Sequence, residues 1–394
     1  MDAFDFGWKF VWEKLFCRKT NLFYDYLADG IDSTSCLPTP EEIAIQFPNP
    51  CSWGTGMEDS MMSAGNMLET AIVRFLKEKN PVFAENAHTI FKGMKLCATV
   101  SSSPGFLARS VSPVDGHSHF MNSSRDQYTH FVYAAWKFYH SDIASEEEKT
   151  DIRNILAAFA DRGIRNVNAE HQFDYLREDG KPGLVTRMWR PHEVWTHEVM
   201  RFPMFCLAAW DVTGDEKYRS VYRNLIGEAI TRNQEQDLTI SWAAFALLQM
   251  QYSLRLIYDL EQDTSTRSSL LKLMQDTARY SQKYVLEVRE KLHRGELKTD
   301  AVNPNWRTRS FILETGNMIN GYAYFNPQHE KIYSECCFEP LRAAAQGIII
   351  QQLCPNWQIL EEQYDALKEI AESIDYGKIT CYAPILFSCA WFSR

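Results

Sequence analysis

Residues 103–139 read SPGFLARSVSPVDGHSHFMNSSRDQYTHFVYAAWKFY, a polar loop punctuated by Gly and Pro that leads directly into a patterned helix. Ser124, followed three residues later by Gln127, forms the S-x-x-Q pattern of a helix capping box. Apolar side chains then recur at helical spacing, which predicts one buried face: Tyr128, Phe131, Val132, Ala135, Trp136 and Tyr139. The stretch therefore predicts a buried helix that is entered from a polar loop.

Titratable side chains crowd the junction between this loop and the helix: His117, His119, Arg125, Asp126, Tyr128 and His130. Asp126 and His130 are four positions apart, so they share a face of the first helical turns. An acid in the first turn is also favoured by the helix dipole alone. Because clustered titratable groups favour functional sites, we interpret the junction as a site rather than as capping alone.

The composition restricts the class of protein. Of the 394 residues, 45% are hydrophobic and 13% are aromatic, which is enough for a large core. The net charge of −10 argues against nucleic acid as a partner, because binding phosphates requires a basic surface. No run reaches the roughly 20 apolar residues of a membrane-spanning helix, so no membrane partner is expected.

The N-terminus, MDAFDFGWKFVWEKLF, carries acids where a signal peptide requires positive charge. The ten cysteines show neither CxxC nor zinc-type spacing, which fits free thiols in a reducing compartment. We therefore expect a cytoplasmic protein, or a periplasmic one if a signal peptide was removed before residue 1. We expect it to be a monomer or a homodimer.

Amphipathic segments recur in pairs along the chain, each an apolar helix, a short polar turn and a more charged helix. Among them, helices are predicted at residues 8–28, at 145–163 after a Ser145/Glu148 capping box, and at 192–212. The less charged helix of each pair is predicted inside and its partner outside. This pattern predicts an all-α fold: one domain over residues 1–394, built as an (α/α)6 toroid with long loops at one rim.

Several segments resemble the six-hairpin glycosidase superfamily, the (α/α)6 barrels that include unsaturated glucuronyl hydrolases and related bacterial polysaccharide-degrading enzymes. The turn AAWDVTGDEKY at residues 208–218 resembles an outer turn of such barrels. GTGMED at 54–59, GFLARSV at 105–111 and SRDQYT at 124–129 resemble rim segments of uncharacterised members. The resemblance covers most of the chain at the level of architecture. It implies a glycoside hydrolase with an inner-helix Asp as acid/base, and Asp126 matches that position.

Carboxyl groups carry the chemistry that this resemblance implies. Glycoside cleavage requires two carboxyl groups across the scissile bond or, for unsaturated uronides, one acid that protonates the alkene. We assign Asp126 as the principal acid/base and Glu58 or Asp59 as the second carboxyl group. The expected substrate is a poly- or oligosaccharide fragment, including fragments that contain uronic acids.

Sugar recognition requires flat aromatic faces and hydrogen-bonding groups, and arginines can bind a carboxylate bidentately. The predicted substrate-binding residues are His117, His119, Arg125, Tyr128, His130, Trp189, Arg190, His192, His197, Glu198, Trp306 and Glu314. His192 and His197 are five positions apart and do not share a helical face, unlike the histidines of an HExxH zinc motif. Neither a metal nor another cofactor is therefore expected.

Two other functions stay open on the sequence alone. A polysaccharide lyase or sugar epimerase on the same toroid would move a proton through Tyr128 together with His130 or His197. A noncatalytic carbohydrate-binding protein is also compatible with these residues, because a fold does not determine function.

Overall fold

The structure, a computed structural model, describes residues 2–25, 27, 35–189, 196–300, 306–308, 318–319, 322–323 and 338–394. These residues are mostly helical, which confirms the prediction of an all-α protein. Within the described ranges, β-strands occur in two antiparallel hairpins with strands of two residues each: Phe16–Cys17 (β1) with Leu22–Phe23 (β2), and Met318–Ile319 (β3) with Tyr322–Ala323 (β4). Isolated β-bridges pair Ser124 with Val185 and Asp174 with Arg187.

Thirteen α-helices form the described part of the chain. In order they are α1 Ala3–Phe10, α2 Pro40–Ala44, α3 Ser60–Glu78, α4 Pro81–Thr99, α5 Arg125–Tyr139, α6 Glu146–Asn166, α7 Arg201–Thr213, α8 Glu216–Gln234, α9 Ala244–Leu260, α10 Thr264–His293, α11 Phe338–Leu353, α12 Glu361–Ser373 and α13 Ala383–Phe392. A π-helical turn, Val11–Leu15, follows α1, and 3₁₀ turns lie at Thr196–Glu198 and Trp306–Thr308.

Local sequence signals account for many of these bounds. Ser145 and Glu148 form the predicted capping box of α6, with each side chain bonded to the other residue's backbone. Asn80 caps α4 and Pro81 occupies its first turn, where the missing N–H of proline costs nothing. Gly214, at a φ of 73°, ends α7 in the left-handed conformation that glycine adopts most readily. The short turns between paired helices are therefore encoded locally.

The apolar helices pack against one another and the charged helices cover them. Helix α3 contacts α5, α5 contacts α7 and α9, α9 contacts α11, α11 contacts α13, and α13 contacts α3. The second helix of each pair lies against these helices: α4 against α3, α6 against α5 and α7, α8 against α7, α10 against α9 and α11, and α12 against α11. Burial follows the same division, because most side chains of α3, α5, α7 and α9 are buried while α8 and α10 bury one face. In the pairs that begin with α5, α7, α9 and α11 the more charged helix is thus the more exposed one. Charge content does not distinguish α3, with four charged residues, from α4, with three.

The first predicted helix, at residues 8–28, is wrong in its second half. Helix α1 gives way to the π-helical turn, and the chain then reverses through the β1–β2 hairpin. Asn21 sits in the turn at a φ of 55°, a left-handed conformation that Asn tolerates better than most residues. The apolar spacing that suggested a helix serves instead to pack the rings of Trp12, Phe16 and Phe23 together.

Two other predicted bounds also differ. Helix α6 continues past Gly163 to Asn166, because Gly163 provides close packing rather than a helix end. A Cβ at Gly163 would lie 2.3 Å from Cε2 of Phe202 on α7. Helix α7 begins at Arg201, nine residues later than predicted, and a 3₁₀ turn precedes it.

The described cysteines are free thiols, and Cys97, Cys206 and Cys389 are buried within helices, where burial raises the pKa of each thiol. None of the helices in the described ranges has the length and apolar character needed to cross a membrane.

Candidate active site

Helix α5 enters the candidate site at Ser124, whose hydroxyl accepts from the Gln127 backbone N–H at 3.4 Å. Only this serine half of the predicted capping box forms. The Gln127 side chain does not turn back to Ser124. Its Nε2 donates instead to Asp59 Oδ1 at 2.9 Å and to the Glu58 carbonyl at 3.2 Å. Gln127 therefore links the start of α5 to the start of α3.

Asp59 immediately precedes α3 and is held by backbone and side-chain contacts. Its N–H donates to Asp25 Oδ1 at 2.9 Å, and Arg109 Nη2 lies 3.5 Å from its Oδ1. Arg109 Nε also donates to the Glu58 carbonyl at 2.9 Å. The Glu58 carboxylate accepts from the Gly54 N–H at 3.1 Å. The segment GTGMED thus folds around its own acids and presents Asp59 to α5.

The pKa values of the Asp25 and Asp59 carboxyl groups are both raised. Burial raises the pKa of Asp59 above its ordinary value, and the charge of Asp126 adds to the rise; Arg109, Arg342 and Gln127 oppose it without cancelling it. Burial, together with the charges of Asp59 and Glu58, raises the pKa of Asp25 still further. The surroundings of Asp59 therefore favour the protonated form of this carboxyl group more than water would.

Asp126 has the opposite electrostatic environment. Its Oδ1 pairs with Arg201 Nη1 from α7, and the Arg201 side chain is 1% exposed. Burial alone would raise the pKa of Asp126, but the charge and hydrogen bond of Arg201 and the charge of Arg125 lower it below its ordinary value. The Asp126 side chain nevertheless keeps 26% exposure. It is therefore an ionised carboxylate that solvent can reach.

A second ion pair joins the same junction to the 3₁₀ turn before α7. Arg125 Nη2 lies 2.5 Å from Glu198 Oε1, and Arg125 Nη1 donates to the Arg187 carbonyl at 2.7 Å. His197 Nε2 lies 3.8 Å from the same Glu198 oxygen. Arg125, His197 and Glu198, all predicted as substrate-binding residues, thus lie close together, but Arg125 already has a carboxylate partner.

His130 and His197 are neutral at physiological pH. Burial lowers the pKa of each to about 3, and the positive charge of Arg201 adds to the effect. His130 packs edge-on against Tyr252 and His197 edge-on against Trp242, with ring centroids 5.0 and 5.4 Å apart. His130 Nε2 and His197 Nδ1 are buried and make no hydrogen bond within the described part of the chain. At physiological pH each imidazole therefore carries only one ring proton.

The beginnings of α9 and α11 reach the same site. Arg342 lies over the ring of Phe245 with 4.9 Å between its Cζ and the ring centroid, and its charge acts on Asp59. Trp242, just before α9, and Phe245 are both partly exposed. Tyr280 and Tyr284 hold the Trp242 backbone by hydrogen bonds of 2.9 and 2.6 Å. Five helix starts therefore contribute side chains to one region.

Tyr128 is a core residue rather than a neighbour of the acids. Its hydroxyl donates to the Gly105 carbonyl at 3.1 Å and accepts from the Leu107 N–H at 2.9 Å. Burial raises the pKa of Tyr128 to about 12. The ring packs against Phe159, Tyr175 and Phe205. The apolar periodicity of α5 predicted this burial, and a substrate-binding role does not fit it.

His117 and His119 form a separate cluster. His119 Nε2 lies 3.1 Å from Glu178 Oε1, and its Nδ1 lies 2.8 Å from the His117 carbonyl oxygen. Burial lowers the pKa of His119, but the hydrogen bond and charge of Glu178 outweigh burial and raise it. These contacts connect two loops, and none of them involves Asp59 or Asp126.

The two described tryptophans among the predicted binding residues have structural surroundings. Trp189 is buried, with Arg232 Cζ 5.8 Å from its ring centroid. Trp306 donates its Nε1 hydrogen to the Cys36 carbonyl at 2.7 Å and packs against Phe47. Arg190, His192 and Glu314 lie outside the described residues.

Sequence reasoning missed several members of the site: Asp25, Arg109, Gln127 as a side-chain donor, Arg201, Trp242, Phe245 and Arg342. Arg109 and Gln127 stand within the segments GFLARSV and SRDQYT that were singled out for resemblance. Their roles depend on partners about 50 to 70 positions away, which no local pattern reports. Arg201 lies in the middle of the helix predicted at 192–212, and neither it nor Arg342 had a local signal that marked it as a site residue.

Across the described ranges, no group of three or more His, Cys, Asp or Glu side chains is arranged to hold a metal ion. No protein-family model matches the chain, and no curated protein has significant sequence similarity to it.

Proposed function

We propose that the protein is a glycoside hydrolase acting on poly- or oligosaccharide fragments, with Asp59 as general acid and Asp126 as the ionised partner. The observation that carries the proposal is the divergence of two neighbouring carboxyl groups: the pKa of Asp59 is raised and that of Asp126 is lowered. Two carboxyl groups whose environments separate their pKa values are the pattern of acid/base catalysis on a glycosidic bond.

The same proposal includes a single catalytic domain built as an (α/α)6 toroid. The helix contacts support it, since the sequence α3, α5, α7, α9, α11, α13 returns to α3. The charged helices on the outside also fit this architecture. In such a ring, the starts of the inner helices share one rim, where Asp59, Asp126 and Arg201 would face the substrate.

The roles follow from protonation. Asp59 would donate its proton to the glycosidic oxygen while the bond between that oxygen and the anomeric carbon breaks. The electron pair of the broken bond stays on the oxygen. Asp126 would either take a proton from the water that attacks the anomeric carbon or attack that carbon itself, before water completes the hydrolysis. Either route consumes one water. This assignment gives the proton-donor role to Asp59, whereas the sequence favoured Asp126.

The neighbouring residues would position these two groups. Gln127 holds Asp59 through a 2.9 Å hydrogen bond, and Arg201 keeps Asp126 ionised. Trp242 and Phe245 offer partly exposed aromatic rings beside His197 and Arg342, and sugar rings stack on such faces. Glu58 would have a structural role, since its carboxylate accepts a hydrogen bond from the Gly54 backbone N–H.

The lyase or epimerase alternative has less support. It needs a tyrosine that gives up a proton beside a histidine, but the pKa of Tyr128 is raised to about 12 and its hydroxyl is engaged by the backbone. A noncatalytic carbohydrate-binding protein would use the same rim without requiring carboxyl groups of divergent pKa.

The test is a screen of the purified protein against plant and host oligosaccharides in water enriched in heavy oxygen, read by mass spectrometry. Hydrolysis predicts two products that together gain one water, with heavy oxygen incorporated. Cleavage without that gain would establish a lyase and refute the proposal. A ligand that binds without any mass change would favour the noncatalytic alternative.

A further inference from the structure

The charged side chains of the candidate site are already matched to one another. Its described acids are Asp25, Glu58, Asp59, Asp126 and Glu198, and its described cations are Arg109, Arg125, Arg201 and Arg342. A substrate carboxylate would therefore bind here only if one of these arginines were without a partner.

Three arginines are committed to carboxylates by direct contact. Arg201 pairs with Asp126, and Arg125 pairs with Glu198 at 2.5 Å. Arg109 lies 3.5 Å from Asp59 and 3.9 Å from Glu58. A uronate that bound any of these arginines would have to displace a buried or half-buried carboxylate, which is costly because the displaced charge loses its partner.

The fourth arginine, Arg342, is also engaged. Its guanidinium lies over the Phe245 ring, with 4.9 Å between Cζ and the ring centroid, and its charge acts on Tyr382. Its charge acts on Asp59 as well. Arg342 therefore interacts both with Asp59 and with the Phe245 ring, and is not available to a substrate carboxylate.

The unpartnered polar atoms of the site include both donors and an acceptor. Arg109 Nη1 and Arg201 Nε are buried donors without a hydrogen-bond partner among the described residues, and Gln127 Oε1 is a buried acceptor in the same condition. Buried polar groups are normally satisfied in folded proteins. A hydroxyl group can both donate and accept, whereas a carboxylate can only accept. The hydroxymethyl hydroxyl of a neutral sugar could satisfy either kind of atom, whereas the carboxylate that replaces it in a uronate could satisfy only the donors.

We propose that the site selects neutral sugar residues and discriminates against uronic acids at the position between Asp59 and Asp126. This inference rests on the proposed function and narrows its substrate class to neutral, hydroxyl-rich glycosides.

The test uses matched pairs of para-nitrophenyl glycosides that differ only in a hydroxymethyl group or a carboxylate: glucoside with glucuronide, and galactoside with galacturonide, in both anomeric forms. Turnover by the wild-type protein and binding by Asp59→Asn, measured by calorimetry, are recorded for each pair. We expect kcat/KM, and affinity in the Asp59→Asn protein, to favour the neutral member of the responsive pair by at least about tenfold.

A single substitution provides an internal check. Glu198→Gln preserves the shape of the side chain and removes the carboxylate that pairs with Arg125. It should therefore lower the ratio of kcat/KM for the neutral glycoside to kcat/KM for the uronide by several-fold. Arg125→Gln is the matched control. It removes the cation for which Glu198 and a uronate would compete, so it should not improve uronide binding.

The outcomes separate the two proposals. A uronide preferred by the wild-type protein would overturn neutral selectivity while leaving hydrolysis intact. Neutral glycosides that bind without turnover would support neutral selectivity and count against hydrolysis. A panel that neither binds nor reacts would overturn both. If Glu198→Gln folds and leaves the ratio of neutral to uronide kcat/KM unchanged, the Arg125–Glu198 ion pair does not determine the selectivity.

Discussion

Gln127 donates its side-chain amide to the Asp59 carboxylate across 2.9 Å, joining residues 68 positions apart in the chain. The same nitrogen donates to the Glu58 carbonyl, so one amide fixes both the backbone and the side chain at the start of α3. The proposed acid is thereby held by the helix that carries its proposed partner, Asp126.

Replacing Gln127 tests this positioning. Gln127→Leu keeps the approximate volume and removes a hydrogen bond that stabilises the Asp59 carboxylate, so the pKa of Asp59 should rise further. Because the acid must be protonated, the alkaline limb of the pH–kcat/KM profile should move to higher pH, while kcat falls by about 100-fold through misplacement. Ser124→Ala is the control, since it removes the cap of the same turn at a cost of about 1 kcal/mol and should leave the limb in place. An unmoved limb in Gln127→Leu would count against the role of Gln127.

Arg201 should control the other limb. Arg201→Met removes the cation that lowers the pKa of Asp126, so that pKa should rise. Since Asp126 must be ionised to act, the acidic limb should move to higher pH and the active range should narrow. Loss of the charged hydrogen bond should also cost about 2 kcal/mol of unfolding free energy. Arg201→Lys retains the charge and should shift the limb less; equal shifts in both variants would contradict an electrostatic role.

The buried histidines predict a loss of stability in acid. The pKa of His130 is about 3 in the folded protein, while an unfolded histidine titrates near 6.5. Between these values the unfolded chain takes up a proton that the folded protein refuses, so stability falls as the pH falls, by at most about 1.4 kcal/mol per pH unit. His130→Phe should flatten this slope in thermal unfolding followed from pH 7 to pH 4. His197→Phe should act in the same direction, and a slope unchanged in both would refute burial of neutral imidazoles.

Asp25 predicts the opposite dependence. Burial and the charges of Asp59 and Glu58 raise its pKa, so its contribution to stability is complete below the unfolded pKa and is lost as the pH rises through the folded value. Asp25→Asn keeps a carbonyl oxygen to accept from the Asp59 N–H and cannot ionise. It should raise the melting temperature at pH 7–8 relative to wild type and give no gain near pH 3. A lower melting temperature at pH 8 would show that the ionised form is needed.

The sequence indicated elements that depend on local information. The Ser145/Glu148 capping box, the buried face of α5 and the alternation of apolar and charged helices all follow from residues within a few turns of each other. The acids at the starts of α3 and α5 were found for the same reason. The first predicted helix failed because its apolar spacing also fits a π-helical turn followed by a hairpin of packed aromatic rings.

The partners of those acids could not be predicted in the same way. Asp126 pairs with Arg201 across 75 positions, and Arg109 meets Asp59 across 50. Gln127 had a plausible local role in a capping box, and only the fold shows that its side chain bonds to Asp59 instead. The assignment of acid and base depends on these distant contacts, so the residues alone favoured Asp126 for the role that we propose for Asp59.

The most direct measurement compares Asp59→Asn and Asp126→Asn on aryl glycosides of graded leaving-group acidity, using the sugar identified in the screen. A general acid matters most when the leaving group is poor. The account predicts that Asp59→Asn loses at least about 100-fold in kcat/KM on poor leaving groups and keeps near wild-type rates on dinitrophenyl glycosides, while Asp126→Asn loses activity on all of them. Full activity in Asp126→Asn, or an equal loss on every leaving group in Asp59→Asn, would contradict it.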